Sequence, residues 1–488
     1  MRTLENLYPD YSAEIDVLDR QGISPELLHK IIEKHTMNAD YSRKLYGRYQ
    51  TLYGDVPIFS RAPRFDDGKE KAINNRINND FFSEIVDIKV GYFAGKAAVY
   101  SYSTTDESEE DTGGQEAMER AAKTLSDFVT RNNMYDVTLE NTKLSAICGY
   151  SGRLFYVDEE GNERAMATKP YETIILSKTS ITEPKYGVRY YTYTDFEGAE
   201  RVHADFYDSR NEYAFDGQKG AMELIGAKPH MFDYCPLQGI PNNEEMMGDA
   251  EKVLAEIDAY DRTVSDTSND IESYSSAYMV FKNIRISDEE RKKAQASGSF
   301  QFASGMTDSD IYFLTKDPND TQIEHHLDRL EDNIYRFSKT PNLGDENFGT
   351  ASGIALKFRI TGLETKCGMF EAKMMSANTY MFKLLASAWR KKQIAIDPLQ
   401  CFTQFKRNFP LDTLNEAQTV SALINAGIPE EIAFRLLSFI DDIDEVMDLI
   451  EEKRAAYPPL DMNDDEDDED NPGNEPEIED EKETDESK

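Results

Sequence analysis

The sequence is poor in cysteine, and it has no long apolar run. Its four cysteines, Cys148, Cys235, Cys367 and Cys401, stand far apart and form no CxxC pair. This spacing argues against a disulfide framework and against a structural zinc site, and it suits a reducing cytoplasm. A transmembrane helix needs a run of about 18 apolar residues, and the sequence contains none. We therefore expect no membrane-spanning segment.

The sequence is also short of positive charge. Its 54 Lys and Arg are outnumbered by 93 Asp and Glu, so the formal net charge is −39. Residues 461–488 hold 16 Asp or Glu and 2 Lys, which puts −14 on the tail and −25 on the body. A protein that grips DNA phosphates presents a basic face, because binding releases condensed counterions. The charge excludes a tight non-specific DNA binder but is compatible with a conduit along which DNA slides.

Helical patterns dominate what the sequence does contain. Apolar residues make up 39% and aromatic residues 11%, which argues against general disorder. Residues 1–60 and 73–90 are predicted to be helical. Between residues 97 and 234, short β-rich segments surround a helix predicted at about 115–132. The fold class is therefore predicted to be mainly α with an α+β domain.

A long helix is predicted at residues 246–283 from a row of apolar and aromatic side chains spaced by three or four residues. The row consists of Val253, Ile257, Tyr260, Val264, Thr267, Ile271, Tyr274, Tyr278 and Phe281. Burying each such side chain contributes on the order of 1.5 to 3 kcal/mol, so the row requires a partner surface. Periodicity alone leaves two alternatives open, a helical hairpin within the chain and packing between subunits.

A second helix, predicted at 321–340, carries a similar apolar row and ends at Pro341. Residues 284–320 between the two helices form an insertion with a short basic helix (Arg291, Lys292, Lys293) and strand candidates at 300–302 and 311–314. Residues 341–353 contain three glycines and are predicted to be a flexible loop. A long helix over 354–394 follows, with bends expected at Gly362 and Gly368.

Three short helices are predicted within residues 395–457. Residues 458–488 are too charged to fold alone, so a disordered acidic tail is predicted there.

Three stretches of the sequence match a known family in order and spacing. They are Asn78–Phe82 with Val90–Lys96; Pro241–Glu245 with Gly248–Asp249, Ile257–Asp261 and Ser265–Asp270; and Lys339–Leu343 with Asp345–Phe348 and Ala351–Lys357. In these stretches the chain resembles the portal proteins of long-tailed bacteriophages that infect Gram-positive bacteria. The resemblance covers nearly the whole chain apart from the tail.

The resemblance implies one subunit of a ring, usually of twelve copies, at the capsid vertex of the virion. Double-stranded DNA passes through the ring during packaging and ejection, without sequence specificity. By the same resemblance, 1–245 is the wing region, 246–283 and 321–340 are stem helices, 284–320 is the clip, and 341–353 is the channel loop. Residues 354–394 join the channel wall to the wing, and 395–457 form a helical crown.

The resemblance also implies partners. The terminase motor and later the head-completion or adaptor proteins dock at the clip, and scaffold and major capsid proteins contact the outside. Assembly takes place in the host bacterial cytoplasm, with no membrane and no cofactor involved. Arg291, Lys292 and Lys293 of the clip are candidates for contact with DNA or with the acidic surface of a partner, and a plain exposed helix face is the alternative.

The residues of the channel loop follow from the same resemblance. They are Asn342, Gly344, Asp345, Glu346, Asn347, Phe348, Gly349 and Gly353. Lys339 and Lys357 flank the loop and are candidates for transient contact with DNA phosphates, since lysine is a compact point charge. The alternative is that they pair with Asp345 or Glu346. Stem packing is assigned to Val253, Ile257, Tyr260, Val264, Ile271, Tyr274, Tyr278 and Phe281.

No catalytic or metal site is predicted. Gly91–Ala97 lacks a spacer residue and the Ser or Thr of a phosphate-binding loop, and we interpret it as a turn between a helix and a strand. His325 and His326 are adjacent, so on a helix they point in different directions and do not share one ion. Two other functions remain as alternatives. One is a minor head or scaffold protein without a channel, and the other is a carboxylate-metal hydrolase, whose usual histidine motifs are missing.

Overall fold

The chain falls into two units in the computed structural model, Met1–Phe409 and Pro410–Lys488. The residues that the structure describes are 3–63, 65–66, 69–70, 73–103, 112–218, 220–274, 278–282, 287–289, 292–293, 310–314, 320–344, 353–408, 413–434, 437, 446–447, 449–450 and 452–453. The strand candidate at 300–302 and the acidic tail lie outside these residues.

The helices of the described residues are α1 (Ser12–Gln21), α2 (Pro25–Tyr49), α3 (Phe81–Ala94), α4 (Thr112–Arg131), α5 (Met134–Cys148), α6 (Leu254–Tyr274), α7 (Asp320–Ser338), α8 (Gly353–Lys391), α9 (Thr413–Asn425) and α10 (Glu430–Phe434). The strands are β1 (Phe65–Asp66), β2 (Lys69–Glu70), β3 (Val99–Tyr102), β4 (Tyr150–Val157), β5 (Glu163–Thr168), β6 (Thr173–Leu176), β7 (Tyr186–Thr194), β8 (Glu200–Tyr207), β9 (Asn211–Gln218), β10 (Ala221–Pro229), β11 (Leu237–Pro241), β12 (Tyr278–Lys282), β13 (Asp310–Leu314) and β14 (Cys401–Gln404). None of these helices combines the length and the apolarity that crossing a bilayer requires.

The two N-terminal helices cover one face of a five-stranded sheet. The sheet is an antiparallel meander in the order β10-β9-β8-β7-β6. Alternate residues of a strand point to opposite faces, so Val188, Phe206 and Phe215 all point towards α1 and α2, where they meet Ile15 and Ile31. The predicted start of α2 is confirmed, because Ser24 accepts a hydrogen bond from the Leu27 amide and Pro25 is its first residue.

A three-stranded sheet, in the order β11-β4-β5, is the second large sheet of the first unit. Strands β4 and β5 form a hairpin whose turn contains Asp158–Gly161, with Asp158 Oδ1 accepting from the Asn162 amide at 2.8 Å. Helices α5 and α8 pack on this sheet. Trp389 and Phe382 of α8 are buried in the same core as Phe128 of α4. The two sheets confirm the α+β character predicted for residues 97–234.

Helix α5 is absent from the sequence-based prediction. From Val137 to Cys148 its residues are buried or half-buried, including the polar Asn141, Thr142 and Ser145. A helix with so little solvent-facing surface shows no clear amphipathic period, so the pattern on which such predictions depend is missing. The helix predicted at 73–90 is also wrong at its start. Residues 73–80 form neither helix nor strand, and α3 begins at Phe81.

The long helix predicted at 246–283 is wrong at its C-terminal end. Helix α6 stops at Tyr274, and Tyr278–Lys282 is strand β12, paired antiparallel with β13. The sequence Tyr-Met-Val-Phe of this strand is aromatic and β-branched, which favours a strand although its spacing also fits a helical row. The strand predicted at 311–314 is confirmed as part of β13. The β-structure of the insertion therefore begins before residue 284.

The structure differs from the all-helical pattern predicted after residue 395. Strand β14 pairs with β3, so residues 401–404 form a strand within the first unit. In the second unit, α9 and α10 confirm two of the three short helices. Gly427, with φ +88°, follows α9, as is common for the residue after a helix end. The start of the third short helix, which the sequence places at Asp441 or Asp442, lies outside the described residues.

Candidate functional site at the base of the 341–353 segment

The chain leaves α7 through a tight turn at Lys339. Its backbone is left-handed, with φ +57°, and the Thr340 amide donates to the Tyr335 carbonyl at 3.0 Å. A Cβ on Gly362 of α8 would lie 3.4 Å from the Lys339 Cβ, which is an ordinary van der Waals distance. The turn therefore packs directly on α8 at Gly362.

Asn342 anchors the next step of the chain. Its Nδ2 donates to Glu331 Oε1 of α7, and its Oδ1 accepts from the Gly344 amide, each at 2.9 Å. The nitrogen of the Asn342 side-chain amide thus binds α7, and its oxygen binds the 341–353 segment itself. Residues 341–344 are fixed to α7 by this arrangement. Of the predicted channel-loop residues, Gly353 begins α8, while Asp345, Glu346, Asn347, Phe348 and Gly349 lie outside the described residues.

Lys366 of α8 binds the turn that follows α7. Its Nζ donates to the Ser338 carbonyl at 3.0 Å and approaches Thr340 Oγ1 at 3.5 Å. The same ammonium lies 3.8 Å from Asp249 Oδ1. Burial lowers the pKa of Lys366, and Asp249 counteracts that effect. One lysine therefore connects the end of α7, the start of the 341–353 segment and the loop before α6.

Asp249 is the centre of a buried polar cluster. Lys89 Nζ of α3 lies 3.1 Å from Asp249 Oδ2, an ion pair in which the carboxylate oxygen is not aligned for a hydrogen bond. Asn242 accepts from Lys89 and donates to Asp249 Oδ1 at 3.1 Å. The Lys89 ammonium also lies 4.6 Å from the centroid of the Phe370 ring of α8, on its face. We call Lys89, Asn242, Asp249 and Lys366 the buried cluster.

The electrostatics of the buried cluster favour the charged form of Asp249. Burial by itself raises the pKa of Asp249, but Lys366 and Lys89 outweigh burial, and the pKa lies below its usual value. An ionised carboxylate between two ammonium groups holds three elements together more strongly than a neutral one. The cluster thus joins α3 and α8 to the loop that precedes α6.

A second set of polar contacts fixes α6. Three of its side chains, each four residues from the next, point inwards and bind the segment 75–79. The Asn75 amide donates to Asn269 Oδ1 at 2.6 Å, the Ile77 amide to Ser265 Oγ at 2.9 Å, and the Asn79 amide to Asp261 Oδ1 at 3.0 Å. Ser265 and Asn269 also donate back to the carbonyls of residues 77 and 75. We call these contacts the polar ladder.

The polar ladder explains why residues 73–80 are not helical. Backbone groups of such a segment need partners, and here helix side chains act in place of a neighbouring strand. Asp261, Ser265 and Asn269 are all buried. Burial raises the pKa of Asp261, and hydrogen bonds from Asn79 lower it in part. The stretches 78–82 and 257–270, which carry the resemblance, therefore lie against each other.

Some of the predicted stem-packing residues are buried and others are not. Val253 and Ile257 are in the core, and Tyr260 packs edge-on against Phe81 with 4.9 Å between ring centroids. Val264 is half-buried, but Ile271 is 65% exposed. The side chains of Tyr274, Tyr278 and Phe281 lie outside the described residues. Helices α6 and α7 pack together, as a helical hairpin within the chain requires. This hairpin covers the start of the apolar row of α6 and leaves Ile271 exposed.

The lysines predicted to meet DNA or partners are at the surface. Lys339 and Lys357 are exposed, and so are Lys292 and Lys293; Arg291 lies outside the described residues. Gly91–Ala94, interpreted as part of a turn, is in fact the last turn of α3, which excludes a phosphate-binding loop there. Across the described parts of the chain, no three His, Cys, Asp or Glu side chains are grouped to hold a metal ion.

The buried cluster and the polar ladder are the functional contacts that sequence reasoning missed. A signal for Lys89 existed, because it interrupts the row Phe81, Ile85, Phe93 on the apolar face of α3. A signal for the ladder existed too, since Asp261, Ser265 and Asn269 continue the four-residue spacing of Val253 and Ile257 with polar residues. A polar residue at a buried period needs a partner, and the sequence does not say which one.

Comparison with known proteins identifies the family. The family described as "Phage portal protein, SPP1 Gp6-like" matches residues 28–459. The portal protein of Clostridium phage phiCD119 (strain Clostridium difficile/United States/Govind/2006) is 23% identical over 440 residues, which cover 84% of this chain and 91% of that protein. Both findings confirm the resemblance and do not favour the alternatives of a scaffold protein or a hydrolase. The chain therefore belongs to the SPP1 Gp6-like family of phage portal proteins.

Proposed function

We propose that this chain is one subunit of a dodecameric ring that forms the channel for double-stranded DNA at the capsid vertex. Membership of the portal family makes it a structural component of the phage capsid that works as an oligomer at that vertex. The number of subunits, the passage of DNA and the individual partners are parts of the proposal.

The orientation of α6 is the observation that best supports ring formation. The buried row of this helix changes from apolar to polar, running from Val253 and Ile257 to the polar ladder. Its apolar row therefore turns outwards, and Ile271 is 65% exposed. Phe337 on the neighbouring α7 is 48% exposed. Apolar side chains that the chain itself leaves uncovered require another surface, and in an oligomer a second subunit supplies it.

The contacts at the base of the 341–353 segment support its role as the channel loop. Asn342, Thr340 and Lys366 tie the start of the segment to α7 and α8. Gly353, where the segment ends, is the first residue of α8. A loop that contacts moving DNA requires ends that hold their position while DNA passes. Lys339 and Lys357 at the two ends are exposed, as a transient contact with phosphates requires.

We further propose that residues 284–320 dock the terminase motor and later the head-completion proteins, and that scaffold and major capsid proteins contact the outside of the ring. The exposed Lys292 and Lys293 fit an acidic partner surface. On this proposal the chain performs no catalysis and binds no cofactor, and the energy for packaging comes from the terminase.

Electron microscopy and native mass spectrometry of the purified protein test the ring directly. We expect particles with a central hole and a mass of twelve subunits at micromolar concentration. Ile271→Asp introduces a charge at an exposed apolar position of α6 and is expected to reduce ring formation. Leu224→Asp, at a 52% exposed position on β10, serves as the matched control. A wild-type monomer over a range of salt and protein concentrations would contradict the proposal.

A further inference from the structure

The outer face of α8 is free of charge over most of its length. Between Arg359 and Lys383 the most exposed residues of this helix are uncharged. Glu364, whose side chain is partly exposed at their edge, is paired with Arg407. The exposed residues recur every three or four positions and so form one continuous strip about 27 Å long at 1.5 Å per residue. They are Thr361, Thr365, Gly368, Met369, Ala372, Met375, Ser376 and Thr379. We call them the α8 strip.

The threonine hydroxyls of the α8 strip are satisfied within the helix. Thr361, Thr365 and Thr379 donate their hydroxyl hydrogens to carbonyls four residues earlier on the same helix, at 3.0, 2.8 and 3.1 Å. These hydroxyls already have acceptors, so a partner surface need not supply them. Met369 and Met375 are 48% and 47% exposed. Methionine adapts its shape to a neighbouring surface and is common at binding surfaces.

Gly368 provides a second, independent observation. Glycine inside a helix is about 1 kcal/mol less favourable than alanine, so it usually has a local reason. At Gly362, the Lys339 side chain lies in van der Waals contact with the position of a Cβ. At Gly368 no atom of the described residues outside the helix's own backbone lies within 4 Å of that position. The backbone of α8 is therefore open to a close approach at Gly368.

The net charge of the chain indicates which partner covers the α8 strip. Two copies that each carry a formal charge of −39 repel one another, and they approach most easily where neither presents a carboxylate. The α8 strip is such a place, and the family works as an oligomer of identical chains. On the opposite side of the same helix, Lys366 holds the base of the 341–353 segment.

We propose that the α8 strip is a contact surface between subunits, packed against a second copy of this chain. This inference rests on the proposed ring and adds the surface through which neighbouring subunits meet. Met369 and Met375 insert into the adjoining subunit, and Gly368 lets the two backbones approach each other. Because Lys366 is on the same helix, neighbouring subunits are in contact with the element that anchors each channel loop.

The variant that tests the strip is Met369→Glu combined with Met375→Glu. Both positions are exposed, so the monomer is expected to keep its circular dichroism spectrum and its thermal midpoint. Two carboxylates placed at the contact are expected to reduce the ring fraction in native mass spectrometry at least tenfold. Phe196→Glu, at a fully exposed position between β7 and β8, is the control and is expected to leave the ring fraction unchanged.

Thiol labelling gives a second readout. The four native cysteines are buried, so Met369→Cys introduces one accessible thiol. Maleimide is expected to label this thiol at least tenfold more slowly in rings than in monomers separated by gel filtration, whereas Phe196→Cys labels equally in both. Suppose that the wild type forms rings, that the double glutamate variant assembles normally, and that Met369→Cys is labelled equally fast in rings and monomers. The α8 strip is then not a contact between subunits, while the proposed ring is unaffected. If wild-type protein forms no rings, the proposed function fails and this inference fails with it.

Discussion

Lys89 shows how the first unit tolerates a charge in its core. The side chain is fully buried, and an unpaired ammonium in such a place costs many kcal/mol. Here Asp249, Asn242 and the ring of Phe370 surround the ammonium. Replacing a buried ion pair by apolar residues often leaves the free energy of unfolding unchanged or raises it. The Lys89–Asp249 pair therefore does not by itself indicate extra stability. Its defined contacts instead fix α3, α8 and the loop before α6 in one arrangement.

His35 gives the protein a pH dependence that can be measured. Its ring nitrogens lie 3.0 Å from the hydroxyl oxygens of Tyr190 and Tyr150, and burial lowers its pKa from 6.5 to about 3. As the pH falls below 6.5, His35 is protonated in the unfolded chain but stays neutral in the folded chain. The free energy of unfolding therefore decreases. At about 1.4 kcal/mol for each pH unit, we expect a loss of roughly 2 kcal/mol between pH 7 and pH 5.

Urea unfolding of the wild type and of His35→Gln at these two pH values measures this effect. Other groups also titrate, so the informative quantity is the difference between the two proteins. We expect the wild type to lose more stability than His35→Gln on going to pH 5. His326→Gln, at an exposed position of α7, is expected to behave as the wild type. Equal losses in the wild type and in His35→Gln would show that His35 is not held neutral by the fold.

At the scale of elements, amphipathic helices were the most predictable part of the molecule. Helices α2, α7 and α8 have a buried and an exposed face, and the start of α2 carries the capping Ser24 followed by Pro25. Helix α5 is exposed only in its first turn, at Tyr135 and Asp136, so its sequence shows no amphipathic period. Strand β12 was assigned to a helix, because a spacing of three and four residues also fits a short aromatic strand.

The candidate site was predictable only in part. The residues that flank the 341–353 segment followed from the glycines and from the resemblance. The buried cluster and the polar ladder did not, since each joins residues far apart in the chain, as Asn75 and Asn269 show. Sequence patterns reveal which face of an element is buried, but they do not reveal which distant polar group it meets.

Ser265 is the residue of the polar ladder that is best suited to a test. Ser265→Ala removes the acceptor of the Ile77 amide and leaves a buried backbone group without a partner, which costs about 1 to 3 kcal/mol. We expect a lower urea midpoint of unfolding. We also expect amide hydrogen exchange at Ile77 to become roughly tenfold faster or more, because local opening no longer breaks a hydrogen bond there.

Ser273→Ala is the matched control on the same helix. Ser273 is exposed, and its hydroxyl donates only to the carbonyl of Asn269 within α6. We expect this change to leave both the urea midpoint and the exchange at Ile77 within error of the wild type. Unchanged exchange at Ile77 in Ser265→Ala would mean that segment 75–79 is held by other contacts.

At the scale of the whole molecule, charge and assembly act together. A strongly acidic chain repels both DNA and its own copies, so subunits are expected to meet at uncharged surfaces and DNA is expected to pass without adhering. The outward apolar row of α6 and the α8 strip are two such surfaces within the described residues. The buried cluster, on the inner side of α8, ties this assembly helix to the base of the channel loop.

The connection between α8 and the loop can be broken at Lys366. Lys366→Met keeps the length of the side chain but removes the hydrogen bond to the Ser338 carbonyl and the approach to Thr340. Asp249 keeps Lys89 as a partner, and the α8 strip is unchanged, so we expect rings of normal appearance by electron microscopy. With the base of the loop released, we expect the length of DNA packaged per capsid to fall sharply. Lys373→Met, which removes a partly exposed ion pair with Glu244 on the same helix, should package DNA as the wild type does. Full-length packaging by Lys366→Met rings would show that the loop acts without this anchor, and Lys366 would then be left with a structural role in the cluster around Asp249.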